Sequence, residues 1–464
     1  MTMTQNKRTS VARARRCTTA IHHSTVAMTI ASALWLAESM GWLDALDVIM
    51  LRVVAPASQA VAADTNVPQV VVIDDEAYAE YFDTRSPLPR GPLVAHIEAL
   101  LSTPVQLLVI DIQLEPIASD DSNKLDTLLI EAAARGTGIV LPIPEPRTVD
   151  RDASALLWMR GLCRKGIDFG DSRLRNHFGS IVRYDRSPHA LAMVALARHP
   201  VAAIAQRAKP TFDSVSPCAL AEFAPSLKEV NRPLGGVADR LTLADTAPIP
   251  PSALRQVLHR QILLRDGVVE QLRGLPEPRV VVLGGAYDRR DQFRTLVGEE
   301  EVSGAIVHAA VIGGHGKLNS SHLVAWLVDL GLGVLLGFLF ACLWGLRVPI
   351  ATKISNSCAN AMPRWVSGLL VYYVGAGYSL FVWISPLLVT VLLFYVSGYL
   401  MDGGFWLNPG PLVIGMFLHA MLSDRPQHKH PRTLQRLIRH QPGILYFQVP
   451  FSVAVVSFGL FHAH

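Results

Sequence analysis

Charged residues are scarce in this sequence, and it has none of the common catalytic signatures. Only 17% of its 464 residues are Asp, Glu, Lys or Arg, whereas soluble domains contain about 25%, which indicates that part of the chain avoids water. It has no phosphate-binding loop, no kinase catalytic loop and no nucleophile-triad motif. We therefore expect no enzymatic activity, no catalytic residue and no cofactor. The net charge of +4 is too small to favour a nucleic-acid partner.

Cysteine is rare as well, with five residues in the chain. Cys163 and Cys218 both fall in its long central segment, and in an oxidising compartment such a pair can form a disulfide. Spacing alone does not show that the two are close, so the bonded and the free states both remain open. No cluster of cysteines or histidines has the spacing of a zinc site, and we expect no bound metal.

Long apolar runs are present near the N-terminus and after Leu323. A membrane-spanning helix needs about 20 apolar residues, and basic residues beside such helices mark the cytoplasmic side. A cleaved signal peptide at the first run is the alternative to an anchor. The predicted division is a basic cytoplasmic N-terminus (1–23), a transmembrane anchor (24–43), an extracytoplasmic domain (44–321), a transmembrane helix (322–346), a cytoplasmic loop (347–364), a transmembrane hairpin (365–423), a basic cytoplasmic segment (424–441) and an apolar tail that is a possible fifth span (442–464).

This topology predicts an integral membrane protein with the lipid bilayer as a partner and the large domain outside the cytoplasm. In a bacterium, which the motifs quoted below imply, these are the inner membrane and the periplasm. Asp329 is costly to place in lipid, so we expect it to face protein or water, or else to lie shallow near the outer interface. Gly333 and Gly337 form a small-xxx-small pair in the same helix. Such pairs allow two helices to approach closely, which predicts a helix–helix contact at this face.

The central segment alternates between strand and helix patterns. A β-branched run over residues 70–73 and a largely apolar run over 105–110 are each followed by an acid, and a helical pattern over 92–101 lies between them. A strand–helix–strand crossover of this length indicates a parallel pair of strands. We therefore predict an α/β extracytoplasmic domain, with a mixed, largely parallel sheet and flanking helices, plus an α-helical transmembrane region of four to five helices.

Several strings in this segment resemble a family of bacterial sensory domains. The strings VVVIDDEAYAEYF (70–82), SPLPRGPLVAHIEALL (86–101) and VQLLVIDIQLEP (105–116) look like the opening of the type-two CHASE domain. The strings RVVVLGGAYDRRDQF (279–293) and VSGAIVHAAVI (302–312) resemble its closing Gly-Ala, Asp-x-Phe and Gly-x-x-x-His pattern. The resemblance covers about residues 44–317. It implies an extracytoplasmic sensory module with one helix before it and usually three after it.

The acids that follow the predicted strands are candidates for ligand binding. Ligands of open α/β sheets bind beyond the carboxyl ends of the strands, where paired carboxylates can hold a cation. The alternative is a structural role, in which the acids cap helices and pair with Arg90. The histidine of the closing motif is either a ligand-binding residue or a hydrogen-bonded core residue. The candidates are Asp74, Asp75, Glu76, Arg90, Asp111 and His308.

The predicted cytoplasmic segments total only roughly 60 residues, which is small for an independent output domain. We therefore expect a membrane-bound sensor or regulatory subunit that acts through a separate partner protein and can form homo-oligomers. The alternative is a structural or assembly subunit of a bacterial envelope complex.

Overall fold

The computed structural model divides the chain into two compact units. The α/β unit comprises Ser58–Asn319 and Met401–Phe405, and the helical unit comprises Met1–Ala57, Ser320–Leu400 and Trp406–His464. The residues that the structure describes are 29–30, 32–34, 36–37, 44–55, 67–114, 120–145, 149–174, 180–185, 187, 189–198, 216–224, 226–230, 246–274, 279–287, 291–297, 301–314, 328, 331–332, 335–336, 339, 353, 388–401, 406–410 and 412–415.

A six-stranded parallel sheet forms the centre of the α/β unit. The described strands are β1 (Gln69–Ile73), β2 (Val105–Asp111), β3 (Gly138–Pro142), β4 (Asp168–Gly170), β5 (Arg183–Asp185), β6 (Thr246–Pro248), β7 (Ile262–Leu263), β8 (Arg279–Gly285), β9 (Gln292–Phe293) and β10 (Val302–Ser303). The main sheet has the order β4-β3-β2-β8-β1-β7, and each neighbouring pair is parallel. The pairs β5–β6 and β9–β10 form two separate antiparallel ribbons.

Helices connect these strands. Those described with both ends are α1 (Asp44–Val54), α2 (Asp75–Phe82), α3 (Arg90–Leu101), α4 (Asp120–Ala134), α5 (Val149–Cys163), α6 (Leu191–Arg198), α7 (Pro217–Phe223), α8 (Leu227–Val230), α9 (Pro251–Arg260), α10 (Val268–Arg273) and α11 (Gly304–Gly313). Residues 388–401 are also helical and are named α12; residues 388–400 of this helix belong to the helical unit.

The strands of the main sheet are nearly continuous apolar runs because helices cover both of its faces. All five residues of β1 are buried, and alternate side chains point to opposite faces. Val71 and Ile73 belong to the core cluster that includes Leu93 and Ile97 of α3. Helices α6, α9 and α11 pack on the other side of the sheet. Because helices cover both faces of this parallel sheet, we look for its polar side chains at the ends of the strands.

Helix α11 lies directly against β8 because β8 carries a glycine at the contact. A Cβ atom at Gly284 would lie 2.4 Å from the Cβ of Ala305 and 3.5 Å from the Cβ of Asp111. All ten residues of α11 are buried. This close approach brings the first turns of α11, including His308, next to the carboxyl end of β2.

The described part of the helical unit buries polar side chains in its interior. Asp47 of α1 is fully buried and accepts hydrogen bonds from Trp406 Nε1 (3.1 Å) and Asn408 Nδ2 (3.0 Å). Ser397 of α12 is also fully buried, and its hydroxyl donates to the Leu407 carbonyl. These bonds satisfy groups that would otherwise be costly to remove from water.

The prediction of four to five transmembrane helices is wrong for the part of the chain that the structure describes. Within those residues, no helix combines the length and the apolar character that crossing a membrane requires. At about 1.5 Å per residue, residues 388–401 rise about 21 Å, short of a hydrocarbon core that is about 30 Å thick. The predicted α/β fold with flanking helices is present, and its main sheet is entirely parallel. Asp329, Gly333 and Gly337 lie outside the described residues.

Candidate functional site

The strands of the main sheet are parallel, so their carboxyl ends lie along one edge. Acids occur at or directly after three of these ends: Asp74 follows β1, Asp111 ends β2 and Asp171 follows β4. The structure separates these acids into two groups with different partners.

Asp74 and Glu76 form an ion-pair cluster with Arg265, an arginine that the sequence did not single out. Both carboxylate oxygens of Asp74 accept hydrogen bonds from Arg265 (2.7 and 2.6 Å), and Glu76 accepts another at 2.7 Å. Asp74 also caps α2 by accepting a bond from the Ala77 backbone N–H at 2.9 Å. The hydrogen bonds from Arg265 lower the pKa of Asp74, against the opposing effect of burial. Asp75 is exposed in the first turn of α2.

Arg90 does not pair with the acids after β1. It is buried at the start of α3, and its charge acts on Asp126 of α4. Trp158 Nε1 donates to both oxygens of Asp126, at 3.1 and 2.9 Å. Burial raises the pKa of Asp126, while Trp158 and then Arg90 oppose that effect. Arg90 therefore lies in the packing of α3 and α4, and ligand binding by this residue stays a prediction.

Asp111 and His308 form the deepest part of the strand-end edge. Their side chains are 10% and 4% exposed, and Oδ2 of Asp111 lies 4.0 Å from Nε2 of His308. The same Nε2 lies 3.1 Å from the carbonyl oxygen of Ser172. Because a carbonyl only accepts, this bond assigns a proton to Nε2. Burial raises the pKa of Asp111, and the nearby His308 partly opposes this.

Asp291 is the acid that the sequence candidates missed. Its pKa is raised to about 6, first because the carboxyl is partly removed from water and then because of the negative charges of Asp111 and Glu145. His308 acts in the other direction and lowers this pKa. The residue as a whole is exposed, so solvent screens part of these effects, although burial and the charges of Asp111 and Glu145 all act to raise the pKa. The sequence did contain a signal, because Asp291, Gly304 and His308 all belong to the closing motif.

Asp171 and Arg173 form a further ion pair at this edge. Arg173 binds both oxygens of Asp171 through Nε (2.8 Å) and Nη2 (2.6 Å). The pKa of Arg173 is raised, chiefly by this pair, with smaller contributions from Glu145 and Asp185. We use the name Asp111 cluster for six residues, Asp111, Glu145, Asp171, Arg173, Asp291 and His308, and leave out Asp185, which acts only on Arg173 among them.

The Asp111 cluster is a polar site without the arrangement of a metal centre. In the described residues, no group of three or more His, Cys, Asp or Glu side chains is placed to hold a metal ion. The cluster combines an almost buried carboxyl, a histidine that holds a proton at Nε2, and an exposed carboxyl with a pKa of about 6. These groups can share a proton or accept hydrogen bonds from a polar, positively charged ligand.

The two cysteines of the α/β unit are joined. Cys163 at the end of α5 and Cys218 in α7 form a disulfide, with their Cα atoms 5.5 Å apart. Arg160 of α5 adds to the same contact by donating to the carbonyl oxygens of Ala221 (2.5 Å) and Ala224 (2.7 Å). The sequence left this bond open because residues 55 positions apart have no fixed distance before folding.

Comparisons of this chain with protein-family models, with curated proteins and with solved structures found no match. The resemblance to type-two CHASE domains thus remains a prediction.

Proposed function

We propose that the α/β unit is an extracytoplasmic sensory domain, that it binds a small polar ligand at the Asp111 cluster, and that it acts through a separate partner protein. The observation that carries this proposal is the carboxyl of Asp111, which is nine-tenths buried at a strand end with His308 4.0 Å away. Ligand sites of α/β sheets lie at this position, and groups with perturbed pKa values concentrate at functional sites.

The charge of the cluster favours a cationic or proton-donating ligand. Four carboxyls, those of Asp111, Glu145, Asp171 and Asp291, accompany one arginine, and that arginine binds Asp171. A ligand with an ammonium or guanidinium group would meet carboxylate acceptors and a favourable field.

The disulfide supports the proposed location. Disulfides persist in oxidising compartments outside the cytoplasm and are rare within it. The Cys163–Cys218 bond therefore favours a periplasmic or other extracytoplasmic position for the α/β unit.

The proposal is tested by a thermal-shift screen of the full chain with a panel of amines, amino acids and divalent cations. We expect at least one positively charged compound to raise the Tm, because a ligand that binds only the folded state stabilises it by mass action. We expect Asp111→Asn to lose that shift. Asp74→Asn, which alters the Arg265 ion pairs at the same sheet edge, is the matched control and should keep it.

Two results would count against ligand sensing at this site. One is a ligand that stabilises the wild type and Asp111→Asn equally, which would place its binding site elsewhere. The other is an unresponsive protein that purifies with a partner in fixed stoichiometry. That result would favour the alternative, an assembly subunit, for which Phe223 (89% exposed) and Leu157 (64% exposed) on the disulfide-linked helices α7 and α5 provide apolar surface.

A further inference from the structure

Helix α12 of the helical unit has its apolar side on the outside. Five large side chains, at spacings of three or four residues, lie on one face and are more than half exposed: Leu388 (59%), Val391 (57%), Leu392 (59%), Tyr395 (55%) and Tyr399 (72%). Residues three and four positions apart are neighbours on a helix surface, so these side chains form one continuous stripe. Residues 388–401 contain no charged side chain at all.

The opposite face of α12 is buried and includes polar groups. Thr390 is 4% exposed and Ser397 is fully buried. In the same unit, Asp47 and Asn408 are also buried and hydrogen-bonded to each other. A helix of a water-soluble domain has the reverse arrangement, with apolar residues inward and polar residues outward.

Exposed apolar side chains are concentrated in this unit. Among the described residues, nine of the twelve large hydrophobic side chains that are exposed belong to it, and only Leu157, Phe223 and Leu263 belong to the α/β unit. The nine include Leu335 (61%) and Leu339 (44%), which are one helical turn apart. The exposure is thus a property of the unit and not of α12 alone.

We propose that the stripe on α12, formed by Leu388, Val391, Leu392, Tyr395 and Tyr399, lies against the hydrocarbon of lipid. In protein segments that lie in lipid, ionisable side chains face the protein interior. Asp47 of this unit is fully buried in the same manner. Tyrosine is enriched where hydrocarbon meets the polar headgroups, and the two tyrosines occupy the C-terminal half of the stripe. The proposal concerns a contact surface, and it goes beyond the ligand site of the other unit.

A second copy of this chain fits the stripe less well. Interfaces between proteins have an apolar centre surrounded by a polar rim that carries hydrogen bonds. The stripe runs over about 17 Å of helix without a charged or amide side chain among residues 388–401. Lipid hydrocarbon makes no polar contacts and requires none from its partner.

The test uses the full chain with Cys17, Cys342 and Cys358 replaced by serine, and the disulfide retained. Single cysteines are introduced by Val391→Cys, Leu392→Cys or Tyr395→Cys and labelled with a nitroxide. The protein is reconstituted in vesicles of phosphatidylcholine and phosphatidylglycerol. Collision rates are then measured by electron paramagnetic resonance with oxygen, which dissolves in hydrocarbon, and with a water-soluble nickel chelate. Phe223→Cys provides an exposed apolar reference in the other unit.

We expect the three stripe positions to collide with oxygen several-fold more often than with the nickel chelate, and the ratio to reverse at position 223. Nickel collisions at position 392 as frequent as those at 223 would show that the stripe faces water. Protection from both reagents, with dipolar broadening that disappears on dilution with unlabelled protein, would show that a second copy covers it. Either result overturns the proposal. The labels replace exposed side chains, so the readout does not depend on tolerance of a core change.

Discussion

Asp111 and Asp74 both stand at the carboxyl end of a parallel strand, yet their surroundings give the two carboxyls opposite properties. Asp74 accepts two hydrogen bonds from Arg265 and one from a helix N-terminus, and its pKa is lowered. Asp111 has His308 4.0 Å away, and burial raises its pKa. Asp74 thus acts as a helix cap and an ion-pair partner of Arg265, and Asp111 is the acid at which we propose ligand binding.

Asp291 gives a pH-dependent stability that can be measured. Its pKa is about 6 in the folded protein and about 3.9 in an unfolded chain, so the folded state favours the protonated form. The ionised carboxyl therefore destabilises the fold above pH 6, and this effect is lost as the pH falls toward 4. We expect Asp291→Asn to melt at a higher temperature than the wild type at pH 7, and the difference to vanish near pH 4.

The control for this prediction is Asp74→Asn, for which the sign is reversed. Because the pKa of Asp74 is lowered in the folded state, its charge stabilises the fold above the unfolded value of about 3.9, and that stability is lost as the pH falls below it. This variant should melt below the wild type at pH 7, with a deficit that shrinks in acid. Thermal melts of the wild type, Asp291→Asn and Asp74→Asn between pH 3 and pH 8 measure both differences in Tm. A difference in Tm between Asp291→Asn and the wild type that stays constant across that range would contradict a pKa of about 6 for Asp291.

At the scale of elements, the contact between β8 and α11 brings His308 beside Asp111. The absence of a side chain at Gly284 allows the helix to approach, and the helix then places Gly304 and His308 around Asp111. A Cβ atom at Gly304 would itself lie 3.5 Å from the Asp111 carboxylate. The absence of side chains at Gly284 and Gly304 thus allows α11 to lie close to Asp111.

A pair of glycine substitutions tests this contact. In Gly284→Ala the new Cβ would lie 2.4 Å from that of Ala305, so α11 must shift, and we expect a loss of roughly 1–3 kcal/mol in unfolding free energy. In Gly161→Ala, within α5, the new Cβ has no described atom within 4 Å, and we expect a gain of about 0.5–1 kcal/mol from the reduced flexibility of the unfolded chain. Urea unfolding followed by circular dichroism gives both values. Equal effects of the two substitutions would argue against a tight β8–α11 contact.

At the scale of the whole molecule, the described parts of the two units differ in how many large apolar side chains they expose. The α/β unit buries an apolar core beneath helices, whereas the helical unit buries Asp47 and exposes the stripe of α12. The content of charged residues over the full sequence is 17%, below the roughly 25% of soluble domains.

The disulfide is predicted to stabilise the α/β unit. It closes a loop of 55 residues, and in the chain-entropy description its removal by Cys163→Ser with Cys218→Ser costs about 4 kcal/mol. Urea unfolding of the full chain measures this loss. Alkylation in denaturant provides the check on bonding: three of the five cysteines should react before reduction and all five after it. Five reactive cysteines without reductant would show that the bond is absent.

The alternation of strands and helices in the central segment could be predicted from the sequence alone. Runs such as Val70–Ile73 and Val105–Ile110 are local patterns, and a β-branched run buried on both faces specifies a strand of a parallel sheet wherever it lies. The carboxyl ends of such strands made Asp111 a candidate ligand-binding residue, and the resemblance of the closing motif made His308 one. The expectation of membrane-spanning helices rested on apolar length, and in the described residues the helix over 388–401 is too short to cross.

Only the tertiary structure decided which groups meet. Arg265 binds Asp74 across 191 positions, Cys218 bonds Cys163 across 55, and Asp291 enters the field of Asp111 through the folding of β8 to β10. Sequence patterns report the local preference of the backbone and the need to bury apolar surface. They do not predict which distant polar groups pair with each other. Such pairs stabilise the protein only after folding has brought the two groups together and excluded water from them.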